Sequence, residues 1–283
     1  MKSIFIENTE QMRIMASHDT PVSPAGILID LDGTVFRGNE LIEGAREAIK
    51  TLRRMGKKIV FLSNRGNISR AMCRKKLLGA GIETDVNDIV LSSSVTAAFL
   101  KKHYRFSKVW VLGEQGLVDE LRLAGVQNAS EPKEADWLVI SLHETLTYDD
   151  LNQAFQAAAG GARIIATNKD RSFPNEDGNA IDVAGMIGAI ETSAQAKTEL
   201  VVGKPSWLMA EAACTAMGLS AHECMIIGDS IESDIAMGKL YGMKSALVLT
   251  GSAKQGEQRL YTPDYVLDSI KDVTKLAEEG ILI

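Results

Sequence analysis

Asp30 and Asp32 stand two residues apart in the run Asp30-Leu31-Asp32-Gly33-Thr34, directly after the apolar stretch Ile27-Leu28-Ile29. Where a chain leaves a buried strand, residues two apart can face one cavity, and Gly33 permits the sharp turn that follows. Two carboxylates so placed repel each other, and burial raises their pKa values unless a cation compensates. Three more strand-like runs end on groups of matching chemistry. Ser63-Asn64 follows Ile59–Leu62, Gly203-Lys204-Pro205 follows the Leu200 run, and Gly228-Asp229-Ser230 follows Met225–Ile227, with Asp234 five residues past Asp229. A hard divalent ion such as Mg²⁺ takes one or two carboxylates and completes its shell with waters and substrate phosphate. Lys204 would add a point charge for a phosphate oxygen, with Ser63 and Asn64 as neutral donors.

Singly, each motif has a plainer reading. DxDG is a common turn, Ser-Asn after a strand often caps a helix, Gly-Lys-Pro reads as a solvated loop, and Gly-Asp-Ser can cap the helix that follows. Their joint occurrence at successive strand ends is what points to a phosphate site.

The elements that must position these groups alternate along the chain. Strand-like runs lie at Ile27–Leu31, Ile59–Leu62, Ile89–Leu91, Val109–Leu112, Trp137–Leu142, Arg163–Ala166, Leu200–Val202, Met225–Ile227 and Ala246–Leu249. Helical periodicity occupies Glu43–Met55, Ile68–Leu78, 114–124, 147–159, 182–193, Ser206–Met217, Ser233–Tyr241 and 270–279. This alternation predicts an α/β fold with mostly parallel sheets, in which ligands gather beyond the carboxyl ends of the strands. About 140 residues separate Ser63 from Lys204. Residues 24–94 and 186–283 are expected to form a Rossmann-like core, returning to its sheet near 182–200, and 95–185 an inserted α/β cap. Residues 1–23 are polar and aperiodic and are expected to be a poorly ordered extension.

Composition narrows the function further. The 283 residues carry 31 Lys+Arg against 37 Asp+Glu, a net charge of −6, with no basic block to attract nucleic acid. No stretch approaches the ~20 apolar residues that cross a bilayer, and Glu7 and Glu10 interrupt the region where a signal peptide would be apolar. Three cysteines without CxxC spacing and four scattered histidines disfavour disulfides and zinc. A cytoplasmic protein is expected.

Asp30-Leu31-Asp32-Gly33-Thr34, Ser63, Lys204 and Gly228-Asp229 with Asp234 resemble, in order, the four motifs of the haloacid dehalogenase superfamily of phosphatases. The long insertion resembles the cap of its NagD-like branch. The resemblance covers about 25–280. It implies Asp30 as nucleophile, forming an aspartyl-phosphate, and Asp32 as general acid and base. It also implies Mg²⁺ held by the Asp30 carboxylate, the Asp32 carbonyl and Asp229, with Asp234 behind them holding Lys204 or a metal-bound water. Asp32, Gly33, Ser63, Asn64, Lys204 and Ser230 would contact substrate. Asn168, in the Ala166-Thr167-Asn168-Lys169-Asp170 segment, would line the rim from the cap. Ser63-Asn64-Arg65 stands where relatives often carry Thr-Asn-Asn, and Ser230 follows Asp229 where Arg is frequent. The implied substrates are small phosphorylated metabolites, sugar phosphates first and nucleoside monophosphates second, and a homodimer through the cap is implied too. A phospho-receiver shares the acid cluster but lacks a cap, and no GxGxxG or GxxxxGK[ST] supports a dinucleotide enzyme or nucleotide kinase.

Overall fold

The computed structural model describes residues 23–175, 178–252 and 260–282. Apart from Ser23, the expected N-terminal extension lies outside the described residues. The chain divides into two compact units. One contains the described residues up to Leu62, Leu77–Asp88, and Lys204 onward; the other contains Ser63–Lys76 and Ile89–Gly203.

In the first unit the strand Gly26–Asp30 is central because every residue in it is buried. A strand covered on both faces needs apolar side chains on both, which Ile27-Leu28-Ile29 supplies. It pairs in parallel with Lys58–Ser63 on one side and Cys224–Gly228 on the other. Lys244–Val248 and then Tyr265–Leu267 extend the sheet beyond Cys224–Gly228, also in parallel. With every neighbour parallel, the carboxyl ends gather on one edge. Asp30 lies opposite Leu62, and Ile29 opposite Ile227, so Asp229 leaves its strand close to the level at which Asp30 ends its own. The helix Ala45–Arg54 buries Ala45, Ala48, Ile49 and Leu52, one stripe at helical spacing.

The second unit holds a parallel sheet ordered Thr198–Val201, Arg163–Ala166, Trp137–Ile140, Lys108–Leu112, Gln127–Asn128. Leu138, Ile140, Ile164 and Ala166 pack with Ala154 and Ala157 of the helix Tyr148–Ala159 and Val183, Met186 and Ile190 of Val183–Ala194. The run around Leu200 therefore does not return to the first unit's sheet as expected. It pairs with Arg163–Ala166. A four-residue strand with no fully buried residue carries too little pattern to choose between sheets.

Other elements depart from the periodicity reading. Ser92–His103 is a helix that the Ser92-Ser93-Ser94 cluster disguises as a turn. Its buried hydroxyls are satisfied by carbonyls: Ser92 Oγ donates to Asn64 O and Ser93 Oγ to Ile68 O, both at 2.7 Å. Ser172–Asn175 and Gly178–Ile181 form a hairpin with no apolar alternation to announce it. In the same unit Glu120, 2% exposed, receives the Arg70 amide at 2.7 Å and pairs with its guanidinium at 3.0 Å.

The sheet edge at Tyr265–Leu267 depends on Asp264, whose carboxylate accepts from Ser245 N and Oγ at 2.8 Å and from Lys239 Nζ at 2.7 Å. Burial pushes this carboxyl up, but the Lys239 and Ser245 bonds outweigh it and its pKa falls below the ordinary value. A depressed carboxylate stabilises the fold above its unfolded pKa, about 3.9, and loses that contribution as pH drops through the lower folded value. Asp264→Asn is expected to cost about 1 kcal/mol at pH 7, with the difference narrowing as the pH is lowered past about 4; denaturant titrations of both proteins across that range check it.

Candidate active site

The first unit collects four charged side chains about one point. Lys204 Nζ donates to Asp30 Oδ1 and to Asp234 Oδ1, each at 2.6 Å. Both acids and the lysine are buried. Asp30, Asp229 and Asp234 can each offer a carboxylate oxygen within 4.8 Å of the others. Three buried carboxylates thus face a single ammonium.

The electrostatic consequences are large. Asp30 is pushed well above the usual carboxylate range by burial, which Lys204 opposes and the neighbouring Asp234, Asp229 and Asp32 reinforce. Asp229 is raised by burial and by Asp234, against the pull of Ser252 and Lys204. Burial tends to strip the Lys204 proton, but Asp234 and Asp30 overcome it and hold the amine well above its ordinary value. The cluster has more negative charge than its own cation neutralises. An all-oxygen donor set of this kind suits a hard ion such as Mg²⁺.

Local sequence explains how the acids approach so closely. Gly33 has φ +84°, and a Cβ there would lie 2.5 Å from Asp229 Oδ2. A Cβ on Gly228 would collide with the Asp234 carboxylate, and one on Gly251 with that of Asp229. The turn after Asp30 is closed by Val35 N and Phe36 N donating to Leu31 O at 2.9 and 2.8 Å. It carries Asp32, half-buried and bridged through its backbone to Phe36. Asp234 sits in a π-turn, Ile231–Ile235, that Ser230 caps: its Oγ accepts from Ser233 N at 3.3 Å. The Ser230 amide donates to Asp234 Oδ2 at 3.1 Å, so both oxygens of Asp234 are bonded within the chain.

Thr250 and Ser252 belong to the same place and were not anticipated from sequence. Ser252 N donates to Asp229 Oδ2 at 2.5 Å, its hydroxyl to Asp229 O at 3.2 Å, and Thr250 Oγ1 to Gly33 O at 2.5 Å. The signal was available. Thr250-Gly251-Ser252 follows the buried strand Lys244–Val248, the same pattern of polar residues and glycine at a strand end.

The remaining sequence candidates lie in the second unit. Ser63 ends its strand, 2% exposed, with its Oγ accepting from Arg65 N at 3.1 Å. Asn64 Nδ2 donates to Asp170 Oδ2 at 3.0 Å, and Asn168 Nδ2 donates to Asn64 O at 2.9 Å. Asn168 is itself 4% exposed, and its Oδ1 accepts from the Asp170 amide. The structure therefore groups Asp30, Asp229, Asp234 and Lys204 in one unit, and Asn64 with Asn168 in the other.

Comparison with known proteins gives the family. A haloacid dehalogenase-like hydrolase family model matches residues 27–127, and a HAD-hydrolase-like model matches 201–273. The chain is 29% identical over 249 residues to the 5'-nucleotidase YutF of Bacillus subtilis, covering 87% of this chain and 96% of that protein. It is 28% identical over 254 residues to the acid sugar phosphatase of Staphylococcus saprophyticus, covering 89% and 97%. Its structure matches the p-nitrophenyl phosphatase from Archaeoglobus fulgidus with a TM-score of 0.84 and 35% identity, over 90% of this chain and 99% of that one. The chain belongs to the haloacid dehalogenase-like hydrolases.

Proposed function

We propose that the chain is a Mg²⁺-dependent phosphatase of small phosphomonoesters, with sugar phosphates as its principal substrates, working through an aspartyl-phosphate on Asp30. The observation that carries this reading is the buried Lys204 ammonium shared between Asp30 and Asp234, with Asp229 beside them. The similarity to an acid sugar phosphatase supports the substrate class.

Asp30, Asp229 and the Asp32 carbonyl would hold Mg²⁺, which when bound supplies positive charge to the phosphoryl oxygens. Lys204 occupies Asp30 Oδ1, leaving Oδ2 to attack phosphorus. The P–O bond to the leaving alcohol breaks as the Asp30–phosphorus bond forms, and Asp32 gives the alcohol its proton. Asp32 then takes a proton from water, whose oxygen attacks phosphorus and frees Asp30 with inorganic phosphate. Lys204 contributes charge stabilisation throughout, and Asp234 holds it in place. The Ser63 hydroxyl, the Asn64 group and the amides after Asp30 would position the phosphoryl oxygens. The second unit, Ser63–Lys76 with Ile89–Gly203, would carry the groups that select the leaving group. A second reading, nucleoside monophosphates, draws on the likeness to a 5'-nucleotidase.

Phosphate release from sugar phosphates, nucleoside monophosphates and an aryl phosphate, with Mg²⁺ and with EDTA, tests the reading. Metal-dependent release led by sugar phosphates is expected; a ranking led by nucleotides moves the assignment to the second reading, and no release from any compound overturns both. Asp30→Asn should lower turnover at least ~10³-fold, as loss of a nucleophile does. Lys204→Ala should lower kcat about 100- to 1,000-fold, on the scale of losing one preorganised donor to transition-state charge. Wild-type rates in either variant would sink the assigned roles.

A further inference from the structure

Asn64, Asn168 and Asp170 close a ring of hydrogen bonds inside the second unit. Asn64 Nδ2 donates to Asp170 Oδ2 at 3.0 Å, the Asp170 amide donates to Asn168 Oδ1 at 3.0 Å, and Asn168 Nδ2 donates to the Asn64 carbonyl at 2.9 Å. Ser92 Oγ reaches that same carbonyl at 2.7 Å. Asn64 is therefore gripped at both its backbone and its side chain.

Backbone packs closely against the ring. A Cβ on Gly203, the residue before Lys204, would lie 2.8 Å from Asn168 Cβ and 2.9 Å from Asn64 Oδ1. A Cβ on Gly66 would run into the hydroxyls of Thr167 and Ser141. Asp170 is tied in turn to the next helix, its carbonyl accepting from Ala184 N at 3.0 Å. Holding Asn64 by both its side chain and its carbonyl removes conformational freedom that would otherwise be lost when substrate binds.

We propose that Asp170 is a positioning residue: by holding the Asn64 amide it fixes the turn carrying Ser63 and Asn64 in its phosphoryl-binding form. The inference rests on the phosphatase reading above. It assigns the 168–170 turn to the phosphoryl group, which every substrate shares, and not to the leaving group, which differs among them. Ser63 Oγ and Arg65 N are bonded across Asn64, so a rotation of Asn64 carries the hydroxyl with it. A displacement of about 1 Å at such a group can cost on the order of 100-fold in rate.

The test compares wild type, Asp170→Ala and Asp170→Asn on an aryl phosphate, a sugar phosphate and a nucleoside monophosphate, with inorganic phosphate as a competitive inhibitor and Tm for each protein. Asp170→Ala is expected to lower kcat/KM about 10- to 100-fold, by a similar factor on all three substrates, and to weaken inhibition by phosphate. Asp170→Asn still offers an oxygen to Asn64 Nδ2 and should recover most of both. If the alanine variant folds poorly, Asp170→Glu, which displaces the carboxylate by one methylene, should show the same uniform loss. Losses that differ strongly among substrates with phosphate inhibition unchanged would overturn the proposal, as would an asparagine variant no better than alanine. An active wild type with an unaltered alanine variant overturns this inference alone; a wild type inert to all three substrates overturns the phosphatase reading and this inference with it.

Discussion

The buried ammonium of Lys204 between Asp30 and Asp234 is the constraint on which the first unit depends. Removing a charged amine from water is costly, and the cost is recovered only when close carboxylates satisfy it. The 2.6 Å contacts on both sides do that. They also make the arrangement unforgiving, since loss of the lysine would leave buried carboxylates facing one another. The glycines follow from the same demand. Gly33, Gly228 and Gly251 stand where any side chain would enter the carboxylate cluster. Backbone and charge are thus fitted together, and the sheet exists in part to bring Asp30 and Asp229 to adjacent strand ends.

The second unit answers a different demand, holding neutral groups still. Around Asn64, Asn168 and Ser92 its polar contacts join amides, a hydroxyl and a carbonyl to the Asp170 carboxylate, and the buried acid Glu120 grips Arg70 just beyond the same turn. Charge gathers around Asp30, and orientation is fixed around Asn64. A reaction that moves a highly charged phosphoryl group needs both.

Much of this was legible in the sequence where the pattern was strong. The Gly26–Asp30 strand could be read because five consecutive buried positions leave no alternation to confuse. The helix Ala45–Arg54 could be read because its four buried residues follow helical spacing. The acids and Lys204 were visible because charged residues after buried strands demand an explanation. Partners were not visible. Nothing in Thr198–Val201 says which sheet it joins, and Ser92–His103 hides a helix behind serines whose hydroxyls find carbonyls only in the folded state. Asp170 was legible only as part of the Ala166–Asp170 segment, because its role lies in what its carboxylate touches, and a linear sequence does not record that.

The pair Asp30 and Lys204 is separated by 174 positions along the chain, and the strand beside Asp30 is Cys224–Gly228. On the ribosome, the strand Gly26–Asp30 therefore emerges long before its cation and one of its two flanking strands. Until then its apolar residues have an unpaired edge, and Asp30 must stay hydrated or protonated. Contacts so distant in sequence form slowly, and an open strand edge is a hazard for association with other chains. The geometry that concentrates charge in the finished protein thus gives its nascent form a long interval of exposure, ended only when Lys204 and Cys224–Gly228 have been made.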